Sequence, residues 1–203
     1  ASISGSIQLL KKSLALNSVD ERLIQIMLRG KDQLENFIKD FLVLARPTVG
    51  VSEEIDASAM LDEILESVKL GPSWHEGIEM EADYPRAVMV TANRTEIRQL
   101  LWNLILNALQ AMPDSGRVGI SLSADIEADN RRWLTIRVSD QGIGIEEQDL
   151  KKIFDPFFTT KEQGTGLGLA IVNRIVTVYG GSLNVDSVPG QGTVFTVKIP
   201  ASG

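Results

Sequence analysis

The chain has 203 residues, 43% hydrophobic and 23% charged; this is an ordinary globular balance, which excludes disordered and collagen-like architectures and suits one domain with an appendage or two small domains. With no cysteine and one histidine, disulfide frameworks, thiolate zinc sites, cysteine nucleophiles and His-rich metal centres are excluded. The net charge of −7 argues against a nucleic-acid binder that works by phosphate neutralisation.

No apolar run approaches the roughly 18 residues of a membrane span, and no signal peptide opens the sequence. A soluble, cytoplasmic chain without membrane or nucleic-acid contacts is expected, whether or not the whole protein carries a membrane anchor. Charge is unevenly shared: residues 1–47 carry seven basic and five acidic residues, residues 48–203 thirteen and 22. The change falls at Arg46-Pro47, where proline stops a preceding helix. The expected domains are therefore 1–47 and 48–203.

The first segment reads as an antiparallel helical hairpin. Ile3, Ile7, Leu10 and Leu14 repeat at spacings of four, three and four, as in a coiled-coil seam. Asn17-Ser18 interrupts the pattern, and Asp20 is a candidate cap for a second helix through Leu23, Ile24, Met27, Leu34, Phe37, Ile38, Phe41 and Leu44. Gly30 is its weak point. Two helices bury two such seams poorly, which favours a homodimer forming a four-helix bundle through residues 1–47. The alternative is a hairpin packed on its own C-terminal domain.

From residue 48 helices and strands mix. Asp56 or Ser58 can start a helix through Ala59–Leu70. Gly77–Glu81 and Ala87–Thr91 read as short strands, and Thr95–Met112 as a strong helix stopped by Pro113-Asp114-Ser115-Gly116. Strands follow at Val118–Leu122 and Leu134–Ser139, a helix at Gly166–Tyr179, and strands at Ser182–Ser187 and Thr193–Ile199 around Pro189-Gly190-Gln191-Gly192. This order, with mainly antiparallel hairpins, predicts an α+β fold, a two-layer α/β sandwich.

Four stretches carry chemistry. On the helix over 95–112, Glu96, Gln99, Asn103, Asn107 and Gln110 form one narrow polar stripe among apolar residues; it faces either a polar ligand or a thin strip of solvent. Asp140-Gln141-Gly142-Ile143-Gly144-Ile145 follows a strand, so it presents a carboxylate beside a backbone open to close approach. A carboxylate there can accept from an adenine amino group, although the motif alone can be a simple turn. Gly164-Thr165-Gly166-Leu167-Gly168 precedes a helix and offers backbone N–H groups to phosphates. It lacks the Lys-Ser/Thr of a Walker loop and the glycine spacing of a dinucleotide fingerprint. Between the glycine motifs, Phe154-Asp155-Pro156-Phe157-Phe158-Thr159-Thr160-Lys161 suits a lid anchored by aromatic rings, or a loop tucked into the core, with Lys161 within reach of a terminal phosphate.

In this order, Asn-x-x-x-Asn, Asp-x-Gly-x-Gly, Phe-x-Pro-Phe and Gly-x-Gly-x-Gly resemble the N, G1, F and G2 boxes of sensor histidine kinases. The stretches Asn103–Met112 and Phe154–Lys161 look most like the nitrogen-regulation type, and Ala1–Pro47 is similar to the family's dimerisation and phosphotransfer hairpin. The resemblance implies a Bergerat ATP-binding fold, ATP and Mg²⁺ as cofactors, transfer of the γ-phosphate to a histidine, and a response regulator receiver domain as partner. It further implies that Asn107 coordinates Mg²⁺, that Asn103 stands beside the phosphates, and that Asp140 reads the adenine amino group with support from Thr193 through water. Gly142 and Gly144 would admit the base. Lys161 with Gly164, Thr165, Gly166, Leu167 and Gly168 would close over the triphosphate, and Asn103 and Lys161 would be the catalytic pair. Because an acidic domain then binds an acidic nucleotide, Mg²⁺, backbone N–H groups and local cations must supply the attraction.

The chain departs from the family at the phosphoacceptor. His75 lies in Gly71-Pro72-Ser73-Trp74-His75-Glu76-Gly77, outside any matching context, and reads as an exposed loop residue. Ala1-Ser2-Ile3-Ser4-Gly5 resembles the stretch after the acceptor motif, so the chain is expected to bind ATP without phosphorylating itself. Two other classes are an ATP hydrolase or clamp of the gyrase and MutL kind, and a non-catalytic nucleotide-dependent interaction module. The first needs a base for water, and the position four before Asn107 holds an amide, which cannot serve.

Overall fold

The structure, a computed structural model, describes residues 5, 7, 17–45, 51–126, 131–161 and 164–201. Its backbone divides between Arg46 and Pro47 into two units. In the first, Gly5 and Ile7 are helical; the remainder of the predicted first helix, with Ile3, Leu10 and Leu14, lies outside the described residues. Helix α1 runs Ser18–Ala45. Its cap is Asn17 rather than Asp20: Asn17 Oδ1 accepts from the N–H groups of Val19 and Asp20, both at 2.9 Å. Asp20 Oδ2 accepts in return from the Asn17 N–H at 3.2 Å. Asp20 therefore sits at the third helical position of a reciprocal box, as the acidic partner. The helix continues through Gly30. Ile7 and Ile24 are buried, whereas Leu23, Ile26, Met27, Leu34, Ile38 and Phe41 are exposed. No described helix is long and apolar enough to cross a membrane.

The second unit begins with strand β1 (Glu53–Asp56) and helix α2 (Ala57–Lys69), capped by the Asp56 side chain. Strands β2 (Ile78–Asp83) and β3 (Met89–Ala92) precede helix α3 (Arg94–Gln110). Then come β4 (Gly116–Ile126), β5 (Arg132–Asp140), the single turn α4 (Glu147–Leu150), helix α5 (Gly168–Val178), β6 (Ser182–Val188) and β7 (Gly192–Pro200). The main sheet has the order β2-β4-β5-β7-β6, and β1 pairs with β3 in a separate ribbon. Three of the four pairings in the main sheet are antiparallel; β2 joins β4 in parallel, a pairing that needs a crossover through β3 and α3.

The core lies between this sheet and a helical layer. Leu134, Ile136 and Val138 of β5 alternate inward with Phe195, Val197 and Ile199 of β7, against Leu100, Leu101, Leu104 and Ile105 of α3 and Ile171, Val172 and Ile175 of α5. Helices α3 and α5 pack on each other and on the sheet, and α2 packs on α3. The expected two-layer α/β sandwich is the observed one. Burying Leu or Ile side chains of this kind stabilises the fold by about 1.5–3 kcal/mol each. The layer leaves the C-terminal half of α3 and the C-terminal end of β5 beside the loop over 141–146.

Candidate functional site

The polar stripe of α3 splits into two parts. At its start, Asn93 caps the helix through Oδ1, which accepts from Thr95 at 2.9 Å and Glu96 at 3.2 Å. The Asn93 N–H donates to the Tyr179 Oη at 2.9 Å. Tyr179 also donates to Glu96, and burial, the largest cause, helps push its pKa up to about 12. Glu96 is thus occupied within the protein. The second part begins at Asn103, which is buried with its Nδ2 lacking any hydrogen-bond partner. A buried donor left unmet costs about 1–3 kcal/mol, so an acceptor placed beside it would be favourable.

One turn on, Asn107 Oδ1 accepts from the Lys161 Nζ at 2.8 Å, and Gln110 Oε1 accepts from the same ammonium at 3.1 Å. Burial lowers the Lys161 pKa to about 8, and the charge of Asp140 opposes that shift. Two neutral oxygens therefore converge on a cation. Gln110 was legible as part of the stripe, but its pairing with Lys161 was not.

Asp140 ends β5 and is buried. Its Oδ1 accepts from Gly142 N–H at 2.9 Å and Thr193 N–H at 3.2 Å, which turns Oδ2 into the oxygen left for another donor. Burial raises the Asp140 pKa, while the two N–H groups and Lys161 hold it down. Thr193 faces Asp140 across the β5–β7 ladder and is itself buried. Ser187, which the sequence did not single out, contacts Thr193 Oγ1 at 2.9 Å.

The glycines have packing reasons of their own. A Cβ on Gly142 would meet the Ala111 carbonyl oxygen at 2.5 Å, and one on Gly144, at φ +69°, would strike the Val188 carbonyl. Both therefore let the 141–146 loop press onto neighbouring backbone. Gly166, at φ +67°, accepts through its carbonyl from the Phe157 N–H at 2.9 Å, and Phe157 itself has φ +71°. This backbone hydrogen bond fixes Phe157 against Gly166, while Phe154 and Phe158 are half-buried and Phe157 is exposed.

Gly164 closes a turn on the Lys161 carbonyl at 3.2 Å, and Leu167 N–H donates to Thr165 Oγ1 at 3.4 Å. Leu167 is fully buried. A Cβ on Gly168 would lie 3.6 Å from Asn103 Oδ1, so the start of α5 sits over Asn103. The structure thus joins Asn103 with Gly168, Asn107 with Lys161, and Asp140 with Gly142 and Thr193. His75 is half-buried rather than exposed: its Nε2 donates to the Met112 carbonyl at 3.2 Å, just past the end of α3.

Among the described residues no three acidic or histidine side chains gather as a metal cage. A divalent ion at Asn107 would need most of its oxygens from a ligand, which is the habit of Mg²⁺ on phosphates. The oxygen pair that already accepts an ammonium fits a cation there.

The family model for histidine kinase-, DNA gyrase B-, and HSP90-like ATPases matches residues 92–203. Sporulation kinase D of Bacillus subtilis is 34% identical over 98% of this chain, which covers 38% of that protein. The structure of full-length ShkA in complex with AMPPNP matches with a TM-score of 0.78 and 27% identity over 97% of this chain and 42% of that one. Histidine kinase ThkA in complex with response regulator protein TrrA matches with a TM-score of 0.71 and 28% identity over 98% of this chain and 56% of that one. The chain therefore spans well under half the length of the curated relatives it matches.

Proposed function

The chain belongs to the histidine kinase-, DNA gyrase B-, and HSP90-like ATPase family, and from that premise we propose that it is the ATP-binding catalytic part of a two-component sensor histidine kinase. It moves the γ-phosphate of ATP to a protein histidine, for relay to a response regulator receiver domain. Residues 1–47 form the dimerising hairpin and residues 48–203 the nucleotide-binding domain.

The observation that carries this reading is Asp140, a buried carboxylate whose Oδ1 is fixed by two backbone N–H groups and whose Oδ2 is left to accept from an adenine amino group. Thr193 stands beside it to support a bridging water. Lys161, with Gly164, Thr165, Gly166, Leu167 and Gly168, brings its ammonium and backbone N–H groups to the triphosphate. Asn103 offers its unmet Nδ2 to a phosphate oxygen, and Asn107 offers Oδ1 to Mg²⁺. When bound, Mg²⁺ spreads and neutralises phosphate charge. With Asn107 Oδ1 given over to the metal, the Lys161 ammonium would be free to pair with a phosphate oxygen while keeping Gln110 Oε1.

Hydrolysis by the gyrase and MutL route is disfavoured at Asn103, whose amide cannot take a proton from water at neutral pH. Without a base near the γ-phosphate, transfer to a protein side chain that brings its own nucleophile is the better use of the site.

The test has two arms. Calorimetric titration with a non-hydrolysable ATP analogue, with and without Mg²⁺, should give binding that is tighter with the metal. Mixing the chain and ATP with a full-length relative that has an intact acceptor histidine and a disabled nucleotide site should place phosphate on that relative. No analogue binding, or no phosphate transfer despite binding, would count against the reading at the corresponding step.

A further inference from the structure

Asp140, Thr193 and Ser187 form one row across three neighbouring strands: Asp140 is the register partner of Thr193 on β7, and Thr193 the partner of Ser187 on β6. Side chains paired in this way point to the same face of the sheet. The Ser187 hydroxyl has three contacts. It accepts from the Ile145 N–H at 2.9 Å, donates to the Gly192 carbonyl at 3.1 Å, and lies 2.9 Å from Thr193 Oγ1.

A serine hydroxyl has one proton. The Ile145 N–H can only donate and the Gly192 carbonyl can only accept, so that proton is assigned to Gly192. With that assignment the third contact is Thr193 donating to Ser187, a direction that the 2.9 Å separation alone leaves open. The reverse arrangement would aim lone pairs of Ser187 and Gly192 at each other over 3.1 Å. Thr193 thus has its proton turned inward and keeps only lone pairs for the side where Asp140 stands, and Asp140, ionised, also offers only lone pairs.

We propose that Ser187 is a specificity-determining positioning residue: by fixing the direction of the Thr193 hydroxyl it makes the base-reading row all-acceptor, so that the row takes a purine 6-amino group and rejects a 6-oxo group. This rests on the adenine reading of Asp140 given above. The oxygen of a 6-oxo group would meet the lone pairs of Asp140 Oδ2 and Thr193 Oγ1. With Ser187 removed, the Thr193 O–H rotates freely and can donate to that oxo group, directly or through water.

The experiment compares ADP with inosine diphosphate by calorimetry, in the presence of Mg²⁺, for wild type, Ser187→Ala, Ser187→Thr and Thr193→Val. Wild type should prefer ADP. Ser187→Ala should narrow the ratio of the two dissociation constants about tenfold, the scale of one hydrogen bond gained on one ligand and lost on the other. Ser187→Thr, which keeps the hydroxyl, should restore the wild-type ratio. A merely structural role for Ser187 would weaken both nucleotides alike and leave the ratio unmoved. Thr193→Val deletes the acceptor while Ser187 keeps Ile145 and Gly192, so it should narrow the ratio even if Ser187→Ala fails to fold. A wild type that prefers ADP, with an unchanged ratio in the foldable variants, overturns the proposal alone. A wild type that binds neither nucleotide, or both equally, removes the adenine reading beneath it.

Discussion

The Thr193 N–H donates to Asp140 Oδ1 at 3.2 Å across the β5–β7 ladder, and Gly142 N–H donates to the same oxygen at 2.9 Å. Two fixed donors on one oxygen set the carboxylate's angle and aim Oδ2 away from them. Asp140→Asn should retain Oδ1 for these donors and place an NH₂ where the adenine amino group also donates. The loss is that of a charged hydrogen bond, about 1.5–3 kcal/mol, or roughly 10- to 150-fold in nucleotide affinity. A calorimetric dissociation constant equal to that of wild type would remove Asp140 from the base site.

The same substitution should stabilise the nucleotide-free protein. Burial raises the Asp140 carboxyl above its unfolded value of 3.8, so the folded chain holds this proton more tightly than the unfolded chain does. The residue's contribution to stability is therefore lost as pH rises from the unfolded value through the raised folded one. Asn carries no charge to desolvate. Urea melts should place Asp140→Asn above wild type at pH 7, with the gap shrinking as pH falls towards 3.8. A gap that widens on acidification would reverse the assigned sign.

Much of this was legible in the sequence because it is local. Asp56 caps α2, Pro113 follows the end of α3, and the spacing of Asn103, Asn107 and Gln110 placed them on one stripe because a helix has a fixed period. What was missed is non-local. Strand β1 has only Ile55 buried, without visible alternation, and exists because it pairs with β3. Lys161 finds partners 54 and 51 residues away, and Tyr179 reaches 86 residues back to Asn93. Ser187 reads as an ordinary strand residue until its three partners are assembled. Asp20 is a candidate cap for α1 in the sequence, and Asn17 takes that role with the same chemistry three residues earlier.

Tyr179 ties the end of α5 to the start of α3. Tyr179→Phe leaves the Asn93 N–H without its acceptor and Glu96 without its donor. The expected loss is about 1–3 kcal/mol in a urea melt, since a partly buried group is left unmet. The change is far from Asp140 in the chain, so the preference for ADP over inosine diphosphate should be unaffected. Wild-type stability in Tyr179→Phe would mean that water replaces the phenol without cost.

Exposed apolar side chains on α1, among them Leu34, Ile38 and Phe41, are expected to be covered by a second copy of residues 1–47. Ile38→Asp would then bury a charge at the seam, which helix pairing does not tolerate. Sedimentation equilibrium at tens of micromolar (an order-of-magnitude choice) should show wild type as a dimer and the variant as a monomer. A monomeric wild type would refute the pairing.

Asn103 and Asn107 lie one helical turn apart, yet their roles should separate. Asn107 Oδ1 is the oxygen on which the Lys161 ammonium rests at 2.8 Å, and Mg²⁺, which demands near-complete oxygen coordination, should use the same atom. Asn107→Ala should therefore leave nucleotide binding nearly independent of Mg²⁺. Asn103 is buried against the start of α5 and has an unmet Nδ2, so it should donate to a phosphate oxygen. Asn103→Glu would place a carboxylate there, which repels the triphosphate but offers a base to an in-line water. Affinity should fall while single-turnover hydrolysis at saturating Mg²⁺-ATP rises, a combination that a simple packing defect would not produce. If Asn107→Ala keeps the full Mg²⁺ dependence of wild type, the metal is held elsewhere, and the Asn107–Gln110 oxygen pair serves only to seat Lys161.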